Sequence, residues 1–166
     1  MGEPEKAQEP PGCYTLLSSS PWDAVSSSQW QDWKWQLRNR VTRLEQLSSL
    51  IHLTSSEIEG IRSAGGKLAM AITPYFASLM DSNDPSCPIR RQAIPTRNDS
   101  IVSPSDLVDP CGEDSHAPVP GLVHRYPDRV LLIVTDKCAM YCRYCTRRRQ
   151  VGRRENHISS ENLENA

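Results

Sequence analysis

The sequence predicts an α/β fold in which a helical N-terminal region and a proline-rich arm lead into the first strand of a parallel sheet. Three observations predict it. Apolar residues recur at three- and four-residue steps from Trp30 to Ile51, eight prolines fall between 81 and 128, and Val130–Val134 is an unbroken apolar run just before a cysteine-bearing turn. A strand buried on both faces reads as such a continuous run, whereas a half-exposed strand alternates. One parallel-type strand cannot finish a sheet, because a partner must follow it after a crossover. The chain therefore reads as the front part of a longer protein.

Composition points the same way. The 166 residues are 37% hydrophobic, with 13 Pro and one Phe, which is little core material unless further chain or another subunit covers it. A net charge of -1 creates no field that favours nucleic acid or a membrane surface. No stretch reaches the roughly 18–20 apolar residues of a membrane span. The start, MGEPEK, lacks the basic-then-apolar layout of a secretion signal. A cytoplasmic, reducing setting is expected, where the six cysteines serve as thiols or ligands rather than disulfides.

Residues 1–27, rich in Pro, Ser, Gly and Glu, read as a flexible tail with a local contact at Trp22 and an incidental thiol at Cys13. From a cap at Ser28, the stripe of Trp30, Trp33, Leu37, Val41, Leu44, Leu47 and Ile51 predicts one amphipathic helix. Trp30, Trp33 and Trp35 cannot share that stripe, so Trp35 is expected on a second surface, with core filling the plainer role of all three. Thr54–Glu57 (TSSE) is a capping box that opens a short helix ending at Gly65-Gly66. Thr73-Pro74 starts another, running to about Met80. Residues 28–80 are thus helical. From 81 to 128 the prolines exclude both helix and central strand and predict an ordered wrapping arm. Cys87 and Cys111 lie there without a nearby ligand partner. Residues 129–166 hold the strand, a cysteine loop and a helix start at Ser159/Ser160.

Cys138, Cys142 and Cys145 form C-x3-C-x2-C. Three thiolates on one tight loop can take three corners of a metal cluster or three positions on one ion. Structural zinc takes four ligands, and the fourth would have to come from His124 or His157, neither at a usual spacing. A saturated 4Fe–4S cluster takes four cysteines. Three cysteines leave one iron open, and an open iron is a reaction site. Between Arg125 and Arg154 nine Lys/Arg face two acids, a local balance that suits an anionic ligand.

With Tyr144 just before the third cysteine and an apolar run just before the first, this loop resembles that of the radical S-adenosylmethionine enzymes. The likeness continues through Trp33–Arg40 (WKWQLRNR), Ile72–Phe76 (ITPYF), Asp84–Pro95 (DPSCPIRRQAIP), Val119–Arg129 (VPGLVHRYPDR) and Cys145–Arg149 (CTRRR). In that order they resemble the N-terminal arm and first barrel strand of the lysine 2,3-aminomutase family, over nearly all of residues 28–158. The resemblance implies a partial (β/α) TIM-type barrel and a homo-oligomer. It also implies a 4Fe–4S cluster on Cys138, Cys142 and Cys145 with S-adenosylmethionine on the open iron, and an electron donor such as flavodoxin or ferredoxin. Pyridoxal 5′-phosphate would carry an amino group from the α to the β carbon of an amino acid, lysine first among the candidates.

By the same resemblance Tyr144 lies against the adenine, Arg147 pairs with the substrate carboxylate, and Arg129 and Arg125 lie near the cofactor phosphate. Arginine suits these roles because its planar fork binds such anions bidentately. A solvated basic face is the plain alternative for each. His124 reads as a structural hydrogen-bonding residue. The lysine that pyridoxal phosphate needs is expected outside this chain, since Lys6, Lys34, Lys67 and Lys137 match no such motif. Two other readings stay open: a truncated, non-catalytic assembly fragment, and another radical enzyme such as a glutamate or arginine 2,3-aminomutase.

Overall fold

A computed structural model describes residues 20–63, 70–152 and Glu164. Cys13, the Gly65-Gly66 helix stop, His157 and the helix start at Ser159/Ser160 lie outside the described residues.

The stripe from Trp30 to Ile51 folds as three short helices rather than one: α1 (Ser27–Gln31), α2 (Trp33–Arg38) and α3 (Leu44–Ser48). Asp32 makes the first break. Its carboxylate accepts from the Lys34 N–H at 2.9 Å, capping α2, while its own N–H closes α1 on the Gln29 carbonyl. Ser26, not Ser28, caps α1. Beyond Asn39, which bonds back to the Trp35 carbonyl, Val41 exchanges two backbone hydrogen bonds with Ile72, at 2.7 and 3.0 Å. Short polar side chains that bond their own backbone compete with helix continuation, and here they override an apolar period that would support a longer helix. The apolar stripe survives the breaks, with Val41, Leu47 and Ile51 all buried.

Restarting the helix at Asp32 also changes which tryptophan stands apart. Trp22, Trp30 and Trp35 form a run of tilted rings with centroids 6.2 and 6.1 Å apart. Trp33, 65% exposed, is the outlier, and the expectation for Trp35 is corrected.

The capping box at Thr54 opens α4 (Ser55–Ser63) as its sequence predicts. The Thr54 N–H and hydroxyl donate to Glu57 at 2.7 and 2.8 Å, and the Glu57 N–H returns to Thr54 Oγ1 at 3.3 Å. Helix α5 (Pro74–Ser78) starts at the expected Thr73-Pro74 step.

Within the proline-rich arm the structure has helix α6 (Pro88–Ala93), a 3-10 turn at Arg97–Ser100 and strand β1 (Leu122–Tyr126). The expectation that prolines exclude these elements is corrected. Pro88 occupies the first turn of α6, where a missing N–H costs nothing, and β1 fits between Pro120 and Pro127.

Helix α4 lies hard against the Arg97–Ser100 turn. A Cβ on Gly60 would stand 2.4–2.6 Å from backbone atoms of Thr96 and Pro95. Gly60→Ala is therefore expected to push the two apart and lower the thermal midpoint by roughly 5 °C or more, measured by circular dichroism. An unchanged midpoint would show that the arm shifts freely there.

The apolar run after Arg129 does form a strand, β2 (Arg129–Leu132), but neither parallel nor buried. It pairs antiparallel with β1, with Tyr126 opposite Arg129 and Leu122 opposite Leu132. Val130, Leu131, Leu132 and Val134 are 40–66% exposed. An unbroken apolar run signals that both faces can be buried; it does not choose the partner. Here Pro127-Asp128 turns the chain straight back on β1, and only Val123 of that strand is buried. A two-stranded sheet is what the described residues contain, and no barrel is formed by them.

The core gathers α3, α5, α6 and the Val41 and Ile72 bridge, and it includes Met140 from the cysteine loop. Within it Arg90 is fully buried. Its five guanidinium N–H groups make five hydrogen bonds: two to Glu57 at 2.8 Å, one to the His52 carbonyl at 2.6 Å, and one each to the Asp81 and Ser82 carbonyls at 3.3 Å. One side chain thereby joins α4, α6 and the loop after α5. No helix among the described residues is long and apolar enough to cross a membrane.

Candidate metal centre

The three cysteines sit on a loop closed at its base by a 3.1 Å hydrogen bond from the Gly152 N–H to the Asp136 carbonyl. Gly152 has φ +74°, and a Cβ there would meet the Tyr141 ring at 2.6 Å. Both the backbone and the close ring call for glycine.

The middle of the loop is held as if it were a strand. The Thr73 N–H donates to the Ala139 carbonyl at 3.0 Å, the Tyr141 N–H to Ala71 at 2.9 Å, and the Arg143 N–H to Gln92 at 2.8 Å. Ile72, fully buried, bridges Val41 on one side and Met140 on the other. Alternation then sends Met140 into the core, with Cys142 partly buried against it. After Cys142 the chain turns, with the Cys145 N–H on the Cys142 carbonyl at 3.2 Å.

Two arginines fasten the loop. Arg40 Nη1 donates to the Cys138 carbonyl at 3.3 Å and to the Tyr141 hydroxyl at 3.2 Å, with its guanidinium 5.4 Å from that ring's centroid. Arg143 pairs with Asp99 at 2.8 Å and reaches the Arg91 carbonyl at 2.9 Å. Burial pushes the Asp99 carboxyl up, but the Thr96 N–H and Arg143 outweigh it and hold the group below its ordinary range. These anchors, with Gln92, are functional neighbours that sequence reasoning did not single out. Arg40 and Gln92 lie in the WKWQLRNR and DPSCPIRRQAIP segments, so the signal was there without a stated role.

All three loop thiols are free, Cys138 exposed and the other two half-buried. Burial pushes the Cys138 thiol up, and the nearby Cys145 and Cys142 push it further, against the pull of Arg40. The raised value keeps the Cys138 thiol protonated in the free chain, a state that a bound cation reverses. Among the described residues no group of three His, Cys, Asp or Glu side chains forms a ready-made cage for a metal ion. Three free thiols on one loop can hold three irons of a 4Fe–4S cluster, whereas a structural zinc takes four ligands.

The other candidate residues fall in two places. Arg147 donates through Nε to Glu113 at 3.1 Å and through Nη2 to its second oxygen. Glu113 is 5% exposed, and its hydrogen bond holds Arg147 firmly cationic. Arg125 donates to the Cys111 carbonyl, so Arg125 and Arg147 share the 111–113 segment. Arg129 stands away at the hairpin end, exposed, 3.5 Å from Asp128 and stacked on Tyr126. Tyr144 is 69% exposed, with the Arg143 guanidinium 5.4 Å from its ring centroid. His124 is exposed on β1.

No family model matches the chain. It is 51% identical over 142 residues to L-lysine 2,3-aminomutase of Clostridium subterminale, covering 86% of this chain and 34% of that protein. It is 50% identical over 131 residues to L-lysine 2,3-aminomutase of Bacillus subtilis, covering 79% and 28%. To glutamate 2,3-aminomutase of Clostridioides difficile it is 42% identical over 134 residues, covering 81% and 32%. The chain spans about a third of the length of the curated relatives it matches.

Proposed function

Because the chain belongs to the lysine 2,3-aminomutase family, we propose that it forms the cluster-holding part of a radical S-adenosylmethionine aminomutase that converts L-lysine to β-lysine. The observation that carries this reading is the strand-like seating of the C-x3-C-x2-C loop by the Ala139, Tyr141 and Arg143 hydrogen bonds. A loop that merely linked two elements would need no such register. Four relatives named for lysine, at 49–51% identity, stand above the glutamate enzyme at 42%, and two others named for lysine stand below it at 40% and 35%; lysine is the substrate proposed on the first four.

Cys138, Cys142 and Cys145 would hold three irons of a 4Fe–4S cluster, which when bound supplies the electron that cleaves S-adenosylmethionine at its open iron. The residues of this chain then divide the remaining work. Tyr144 offers an exposed ring for the adenine, fixed from one side by Arg143. Glu113 takes the Nε and Nη2 donors of Arg147, leaving Nη1 for a substrate carboxylate on a cation that cannot lose its proton. Arg129, with only an exposed aspartate as its ion-pair partner among the described residues, is suited to anchor the phosphate of pyridoxal phosphate, with Arg125 beside the 111–113 segment. The chain contributes phosphate anchoring to that cofactor and no lysine for it. An external one-electron donor, such as flavodoxin or ferredoxin, and a homo-oligomeric assembly complete the proposal.

Anaerobic reconstitution of the 166-residue chain with iron and sulfide tests it. A brown protein with about four irons per chain is the expected result. A colourless protein that binds one zinc tightly would overturn the reading.

A further inference from the structure

We propose that Gln92 is a positioning residue for the metal centre, its side-chain N–H donating to Cys142 Sγ and thereby setting the reduction potential of the cluster. The inference rests on the cluster reading above and goes further, to the residue that tunes it.

Gln92 Nε2 lies 3.5 Å from Cys142 Sγ, within hydrogen-bonding range of the larger sulfur atom. Arg40, by contrast, reaches the Cys138 carbonyl rather than its sulfur. The contact is also held in place. The Gln92 carbonyl accepts the Arg143 N–H at 2.8 Å, so the amide is fixed one residue from the thiol it addresses. Helix α6 cannot drift beneath it, because Arg90, Ala93 and Ile94 are all buried.

Reduction of the cluster adds one electron from an external donor and moves no proton. The added charge spreads onto the sulfur ligands, and an N–H that points at one of them stabilises the reduced state more than the oxidised one. Gln92 therefore raises the potential. Leucine at this position removes the donor. Glutamate keeps the shape and places an anionic acceptor there, which opposes reduction further.

The test uses the reconstituted full 166-residue chain as wild type, Gln92→Leu and Gln92→Glu, each followed by iron content and by a spectroelectrochemical titration. The expected order of midpoints is wild type, then Gln92→Leu, then Gln92→Glu. The first step is about fivefold in the reduction equilibrium, about 40 mV at 59 mV per tenfold for one electron. Equal midpoints in the three proteins overturn the proposal. So does iron loss in the variants with an unchanged midpoint in the loaded fraction, which would make Gln92 a purely structural residue. A wild-type chain that takes up no cluster overturns the underlying functional reading instead, and this inference with it.

Discussion

Arg90→Ala is expected to destabilise the helical part of the chain by about 3–5 kcal/mol, the cost of leaving one partner of a buried ion pair without the other. Stabilities of single domains run to about 5–15 kcal/mol, so much of the population would unfold at moderate temperature, as urea melts followed by tryptophan fluorescence would show. The loss is larger than for an ordinary surface pair because Arg90 is fully buried and also satisfies the His52, Asp81 and Ser82 carbonyls. The double change Arg90→Met with Glu57→Gln removes both charges and should cost less than Arg90→Ala. If both proteins melt like wild type, the pair is not what holds α4 to α6.

The same pair fixes the acid limit. Burial pushes the Glu57 carboxyl up, yet the Arg90 hydrogen bond, the Thr54 N–H and hydroxyl and the Arg90 charge together hold it below its ordinary value of 4.5. A carboxyl whose folded pKa is depressed adds stability that is full above its unfolded pKa. That stability is lost as pH falls through the folded value. Unfolding free energy should therefore decline as pH falls below about 4.5, and Glu57→Gln should flatten the decline. Asp99 works in the same direction through Arg143.

Cys142→Ala is expected to abolish cluster retention, and Cys138→Ala and Cys145→Ala to do the same. In the proposed cluster three thiolates would hold three irons, so the loss of any one would leave two ligands and a second iron without a thiolate rather than two-thirds of the affinity. Cys87→Ala and Cys111→Ala should keep the iron. Cys87 is buried beneath the Asp81 N–H, which it accepts at 3.5 Å. Cys111 contributes its carbonyl to Arg125. Iron content and colour after anaerobic reconstitution separate the two groups. Full iron in Cys142→Ala would mean that the C-x3-C-x2-C spacing is not the ligand set.

Much of the site was legible because it is local in sequence. The spacing of Cys138, Cys142 and Cys145 needs no tertiary contact to be read, and neither does the Thr54–Glu57 capping box, whose bonds span three residues. Ordered motifs from Trp33 to Arg149 carried the family, as the relatives bear out. The sequence by itself thus determined the candidate thiol set, the helix starts at Thr54 and Thr73, and the kinship.

Tertiary structure decided the rest, because the forces involved act between residues far apart in the chain. Periodicity could not register that Asp32 caps a new helix or that Val41 bridges Ile72. An apolar run could not say that β2 would pair backwards on β1. Nothing local marks Arg40, Gln92 and Asp99 as supports of a loop about 45 to 100 residues further along, since an isolated arginine or glutamine reads as solvated surface until its partner is in place. The cysteine spacing is local in the chain, and the folded arm, with Ile72 bridged to Met140, sets where that loop stands.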